Sequence, residues 1–246
     1  MSSQTTHDFV LSAAVSTEVA TAGVPSSEPS VDMTFAGALT FSEDGILFVG
    51  DNHNGAVYAF EVPGEQHLGQ TFPRSIRNID ARIAELLGVS EGAVEIIDLA
   101  VHPVSKEIYI SITRIESFAS QPAIVKISTD LDISLLDTSS LAFQKQLLNE
   151  FPEGDTHFQV RGSGPGPLLP RDMAKGGIAI RSLAIMDLEY YEGELFVAGV
   201  AHDSFQSSLR RISYPFDGTQ HIAGVEMYHI AHDQYESRAP IRAMSV

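Results

Sequence analysis

The chain has 246 residues, long enough for one large domain or two small ones, and a 43% hydrophobic content ample for a buried core. Lys+Arg number 15 against Asp+Glu 32, and the formal charge of -17 repels phosphate backbones and anionic bilayers, which argues against nucleic acid and membrane surfaces as partners. Cysteine is absent, which removes disulfides, thiol nucleophiles and thiolate metal sites and leaves the compartment open between periplasmic or secreted and cytoplasmic.

Residues 1–34 are rich in Ser, Thr, Ala and Val and read as a flexible leader ahead of a folded segment, 35–246. The apolar stretch from Phe9 to Val24 is broken by Thr17 and Glu18 and follows no Lys or Arg, so it makes a poor secretion signal. No run reaches the roughly 18 apolar residues of a membrane span, and no membrane insertion is expected.

From residue 38 one pattern occurs three times. "ALTFSEDGILFVGDNHNGAVYAFEV" (38–62) corresponds to "DLAVHPVSKEIYISITRI" (98–115) with "PAIVKIS" (122–128), and to "DLEYYEGELFVAGVAHDS" (187–204) with "SLRRISY" (208–214). In each, a short apolar strand enters a polar turn (Glu43-Asp44-Gly45, Val104-Ser105-Lys106, Glu192-Gly193) and a second strand places Phe48, Tyr109 or Phe196 in matching positions. A third strand then holds Val57 and Phe60, Ile124 and Ile127, or Leu209 and Ile212 at one spacing. Period-two alternation with β-branched and aromatic filling identifies antiparallel strands, and repeated antiparallel meanders are the sequence sign of a β-propeller. A sandwich with similar hairpins is the alternative.

Two insertions carry helical spacing. Residues 75–96 place Ile79, Ile83, Leu86 and Leu87 on one face with Gly88 at the end, and "SSLAFQKQLLNEFP" (139–152) is a second helical segment stopped near Pro152. "RGSGPGPLLPRDMAKGG" (161–177) reads as an irregular loop. At the end of the chain, "RAPIRAMSV" aligns with the first strands, with Arg242 where Asp98 and Asp187 fall and Ala38 in that place in the first copy. The fold expected is all-β: a propeller of antiparallel meander blades, three blades and the first strand of a fourth, with short helical insertions and an incomplete C-terminal end.

"GILFVGDNHNGAVYAFE" resembles strand pairs of the gluconolactonase/senescence-marker propellers and of the YVTN- and NHL-type repeats. "EIIDLAVHPVSKEIYIS", "LFVAGVAHDSFQSSLRRISYPF" and "YESRAPIRA" resemble a group of uncharacterised bacterial propeller-like proteins, over roughly residues 36–246. The lactonase-like likeness implies a divalent ion held near the central channel by carboxylate and amide side chains, and hydrolysis of sugar lactones. In this sequence Ala38 stands where the first innermost strand would carry an acid, while Asp98 and Asp187 stand for acidic channel residues.

Innermost strands line a propeller's axis, which makes Asp98, Asp187 and Arg242 channel candidates, either for a cation or as an ion-pair network tying blades together. Asp51 and His53, in Asp51-Asn52-His53-Asn54-Gly55, offer ligand atoms at the end of a second strand, although Asn-Gly is also a plain turn signal. "HIAHDQYE" (229–236) is the most metal-like string: on a helix His229, His232, Asp233 and Glu236 would share a face, whereas strand alternation sends His229 and His232 to opposite sides. His202, in the matching "AHDS", is a further metal candidate or a recurring turn residue. No nucleophile elbow, paired-His zinc helix or phosphate loop is present. The reading from sequence is a non-catalytic propeller that binds a small molecule or a protein at its decorated face, with no cofactor. The alternative is a metal-dependent, lactonase-like hydrolase using Asp98 and Asp187, with His202 or Asp51, around a divalent ion in the channel.

Overall fold

The computed structural model describes residues 31–64, 75–114, 122–152, 157–158, 178–202, 206–230, 234–236 and 240–245. In chain order, β1 (Leu39–Phe41), β2 (Ile46–Asp51) and β3 (Ala56–Glu61) form an antiparallel meander; helix α1 (Ile79–Leu87) follows. A second meander comprises β4 (Val94–Val101), β5 (Ile108–Arg114), β6 (Pro122–Ile127) and β7 (Ile133–Leu135). The chain then returns to the first sheet as β8 (Phe143–Leu147), which pairs with β3. Two short strands, β9 (His157–Phe158) and β10 (Ile178–Ala179), pair with each other. A third meander is β11 (Asp187–Tyr191), β12 (Glu194–Ala201), β13 (Gln206–Ser213) and β14 (Gln220–Gly224), and a hairpin of β15 (Met227–His229) and β16 (Gln234–Glu236) ends the described strands.

The described core is therefore three four-stranded antiparallel sheets: sheet A (β1-β2-β3-β8), sheet B (β4-β5-β6-β7) and sheet C (β11-β12-β13-β14). Corresponding residues take the same register: Phe48 opposes Thr40, Tyr109 opposes Ala100, and Phe196 opposes Glu189. Turn chemistry fixes this register, since Gly45 and Gly193 close the first hairpins of sheets A and C at φ +88° and +86°, where a side chain is strained.

Sheet A lies between the other two, which explains why β2 and β3 read as continuous apolar runs. Leu47, Val49, Tyr58 and Phe60 pack toward sheet B with Tyr109 and Ile124. Phe48, Val57 and Ala59 pack toward sheet C with Leu188, Leu195, Val197 and Ile212. A strand buried on both faces loses the polar alternation of a half-exposed one. Phe48 is clasped by Tyr190, stacked at 5.3 Å, and by Tyr214, edge-on at 5.0 Å. Such aromatic contacts add about 0.5–1.5 kcal/mol beyond area burial.

The helix expected over 75–96 is α1, ended by Gly88 at φ +65°, whose N–H reaches back to the carbonyls of Ala84 and Glu85. It covers the face of sheet B turned away from sheet A: Ile83, fully buried, joins Ile110, Ile112, Val125 and Ile127.

Three expectations need correction. Residues 143–147 form strand β8 instead of a helix, because Phe143 stands opposite Phe60 on the open edge of β3 and pairing there outweighs the helix-forming composition. The sheets also do not follow one another in chain order: sheet B is an excursion between the third and fourth strands of sheet A, and none of the described sheets closes on itself. Lastly, residues 240–245 form no strand. They dock on sheet C by Ile241 N–H to the Gly199 carbonyl and by Met244 N–H to Asp187. Asp32 and Thr34, read as part of the leader, are tied to the sheets, with Asp32 accepting from Tyr58 at 2.6 Å and Lys145 at 2.7 Å. Residues 1–30 and the loop 161–177 lie outside the described residues. No helix among the described residues is long and apolar enough to cross a membrane.

If α1 seals sheet B, Ile83→Ala lowers unfolding free energy by about 2–4 kcal/mol in urea denaturation. Leu86→Ala, a site 40% exposed, changes it by less than about 1 kcal/mol. Equal losses at the two positions would contradict this role for the helix.

Candidate functional site

The inner strands β1, β4 and β11 lie side by side, β1 against both others. Between them runs a cleft of about 370 Å³ lined by residues 39–43 of sheet A, residues 98–101 and Pro103 of sheet B, and residues 187–189 of sheet C. Asp98 and Asp187 are thus brought together, as their sequence positions imply. Glu189 joins them because period two along β11 returns it to the side of Asp187, a signal present in "DLEYY".

Both aspartates are committed to the main chain. Asp98 Oδ2 accepts Leu39 N–H across the sheet junction at 2.8 Å, and its Oδ1 accepts Leu99 N–H at 2.7 Å. Asp187 repeats the arrangement, with Oδ2 accepting Met244 N–H at 2.6 Å and Oδ1 accepting Leu188 N–H at 3.0 Å. Inner strands have an unpaired edge, and these carboxylates satisfy part of it. Ala38, the corresponding residue of sheet A, has no such group; the junction between sheets A and C is held instead by Asn52, which donates to the Ile185 carbonyl and accepts Ile185 N–H, both at 2.9 Å.

Burial raises the affinity of all three cleft carboxylates for a proton. Desolvation lifts Asp98 above its ordinary pKa, with the Asp187 charge adding to the effect; desolvation likewise lifts Asp187, and lifts Glu189 with help from Asp187. Among the described residues no Lys, Arg or His forms an ion pair with any of them.

The remaining candidates lie elsewhere. Arg242 is exposed and outside the cleft lining; the backbone of Met244, two residues on, is what reaches Asp187. Asp51, fully buried, accepts N–H groups from Thr34 at 2.8 Å, His53 at 2.9 Å and Asn54 at 3.0 Å. It is the staple of a turn, and its oxygens are also shared with the Thr34 hydroxyl and the Asn54 amide. His53 is exposed, its ring tilted against Phe35 at 5.0 Å. His202 follows β12 at φ +57° and pairs with Glu150 at 2.7 Å. His229 lies in strand β15 opposite Gln234, not in a helix, and His232 and Asp233 lie outside the described residues. Among the described residues no three His, Asp or Glu side chains assemble into a group that could hold a metal ion.

Two buried side chains escaped sequence reasoning. His102 accepts Val104 and Ser105 N–H on Nδ1, both at 3.1 Å, while Nε2 faces the Val62 carbonyl at 3.3 Å, a geometry suited to the neutral ring protonated on Nε2. Arg210, fully buried, donates to the carbonyls of Asn149, Glu150, Ala184 and Val200 where sheets A and C meet, and desolvation lowers its pKa to about 10. The alternation of "SLRRIS" places Arg210 with Ile212 on an inward face, which was the available signal.

Because Asp98 and Asp187 bind protons more tightly when folded, each stabilises the fold more as pH falls toward their ordinary value near 3.8, and that contribution is lost as pH rises through the folded pKa. Asp187→Asn should move the Asp98 titration downward in carboxyl-detected NMR, since one raising charge is removed. An unchanged Asp98 titration would mean the two do not share the cleft field.

No family model matches the chain, and no curated protein is similar to it at a significant level.

Proposed function

We propose that this chain is a β-propeller segment acting as a non-catalytic binding module, which takes a small ligand or a protein partner in the cleft between β1, β4 and β11. The observation that carries the reading is that inner strands of all three sheets contribute to one cleft whose aspartates are already engaged by main-chain N–H groups. Carboxylates held in this way build a wall; a catalytic acid or metal ligand needs its oxygens turned toward the reacting group.

Three observations support the propeller architecture. The three sheets share the register of Phe48, Tyr109 and Phe196, and sheet A is buried on both faces as a blade is. Residues 240–245 dock on Asp187 as β1 docks on Asp98, the relation expected between one blade and the first strand of the next. The resemblance to gluconolactonase-type and YVTN/NHL-type propellers points the same way.

A second reading, the metal-dependent lactonase-like hydrolase, draws on the gathering of Asp98, Asp187 and Glu189 in one cleft. Against it, Asp51 and His202 do not line that cleft. The test adds calcium, zinc and manganese separately to the purified protein. Binding-module function predicts midpoint shifts within about 1 °C and no hydrolysis of sugar lactones. Stabilisation by several degrees, with lactone hydrolysis abolished by Asp98→Asn, would overturn it in favour of the hydrolase.

A further inference from the structure

The turn between β2 and β3 joins Asn54 to Gly55, the asparagine–glycine pair whose carboxamide is chemically the most exposed to attack by its own backbone, because no side chain shields the following nitrogen. Asn52, Asn78 and Asn149 precede His53, Ile79 and Glu150 and lack that opening. The glycine is fixed by the fold: its φ is +61°, and a Cβ there would lie 2.8 Å from the Phe151 ring. The reactive pair therefore cannot be traded for a safer one without disturbing the turn.

The carboxamide of Asn54 is held from two directions. Its Nδ2 donates to the Asp32 carbonyl at 2.8 Å and to Asp51 Oδ2 at 3.0 Å. The first acceptor belongs to residues 31–34, which lie across sheet A as a strap: Asp32 accepts from Tyr58 and Lys145, Thr34 N–H donates to Asp51, and Val31 and Met33 pack against the cluster containing Leu47 and Tyr58. Cyclisation requires the carboxamide to swing over the peptide bond that follows it, and a group tied to two other segments is not free to do so.

We propose that Asn54 is a guarded deamidation site, unreactive while residues 31–34 lie on sheet A and converted, once they lift, into an acid that keeps them off. The Gly55 nitrogen bonds to Asn54 Cγ, the Cγ–Nδ2 bond breaks, and Nδ2 leaves as ammonia with the proton from the Gly55 amide. Water then opens the cyclic imide at one of its two carbonyls, giving aspartate or isoaspartate. Either product reverses the local chemistry. Two donated hydrogen bonds become contacts between oxygens, one of them the carboxylate of Asp51, which is fully buried and also holds Thr34. Isoaspartate adds a methylene to the main chain of the turn that closes the hairpin at Asp51 and Ala56. The fold thereby carries a one-way modification whose rate reports how often the strap opens.

The test incubates the whole chain, and separately the free peptide of residues 49–60, in warm, mildly alkaline buffer, and follows aspartate and isoaspartate at position 54 by peptide mapping. Conversion in the folded chain should be slower than in the peptide by about tenfold or more. Asp32→Ala and Lys145→Ala free the strap without removing the Asn54 contacts themselves, and each should accelerate conversion about threefold or more. Ile83→Ala, which weakens the fold at α1, should leave the rate unchanged, since the guarding motion is local. In Asn54→Asp, amide exchange at Thr34 should be about tenfold faster than in the native chain, with exchange at Phe48 and Ile212 unaltered. Equal rates in the folded chain and the peptide would overturn the guard. A rate indifferent to both strap variants, or raised as much by Ile83→Ala, would overturn the assignment of the guard to residues 31–34. Native exchange at Thr34 in Asn54→Asp would overturn the claim that the product keeps the strap off.

Discussion

A sheet whose inner strand has no further neighbour leaves backbone N–H groups facing an open edge, and everything in this molecule near the cleft follows from how that edge is satisfied. For β1 of sheet A the solution is Asp98 of sheet B, which takes Leu39 N–H; Asp187 of sheet C in the same way takes Met244 N–H from the segment 240–245. One side chain thereby satisfies a donor, sets the spacing between neighbouring inner strands and leaves a carboxylate half out of water. The raised proton affinity of both groups is the electrostatic counterpart of that arrangement.

The junctions differ in how they are built. Between sheets A and B aromatic packing dominates, with Phe41 edge-on to His102 and Tyr109, and His102 fixed by three main-chain contacts. Between sheets A and C the joint is polar at its heart: Asn52 clamps Ile185, Gln220 bridges Leu147 and Asn149, and Arg210 gathers four carbonyls. A buried guanidinium held by neutral oxygens tolerates no loss of partners, because leaving it unsatisfied costs several kcal/mol. That joint is therefore specific in geometry, and it holds β1 and β11 at the separation that opens the cleft.

Much of this was legible in the residues. Alternation and turn chemistry located β1 to β6 and β11 to β13, and the pairing of Asp98 with Asp187 by position in the repeat placed both in one cleft. What could not be read was long-range: β8, which follows sheet B in the chain, completes sheet A by pairing with the open edge of β3 at Phe60 and its neighbours, and nothing local in "FQKQL" encodes that partner. The polar knot Asp51-Asn52-His53-Asn54 was ambiguous for a related reason. Its composition suits a ligand site, and only the approach of Thr34 and Ile185 from distant parts of the chain shows Asp51 and Asn52 to be structural. Arg242, placed beside Asp98 and Asp187 by position in the repeat, is exposed and outside the cleft lining, because residues 240–245 dock through their backbone without forming a strand.

The central claim is that Asp98 holds sheet A to sheet B by capturing one backbone donor. Amide hydrogen exchange at Leu39 measures this directly. The account predicts slow exchange at Leu39 in the native protein and selective acceleration in Asp98→Ala, with the amides of Phe48 and Val57 in the middle of sheet A unchanged. Exchange at Leu39 that is fast in the native protein, or unaffected by Asp98→Ala, would contradict it.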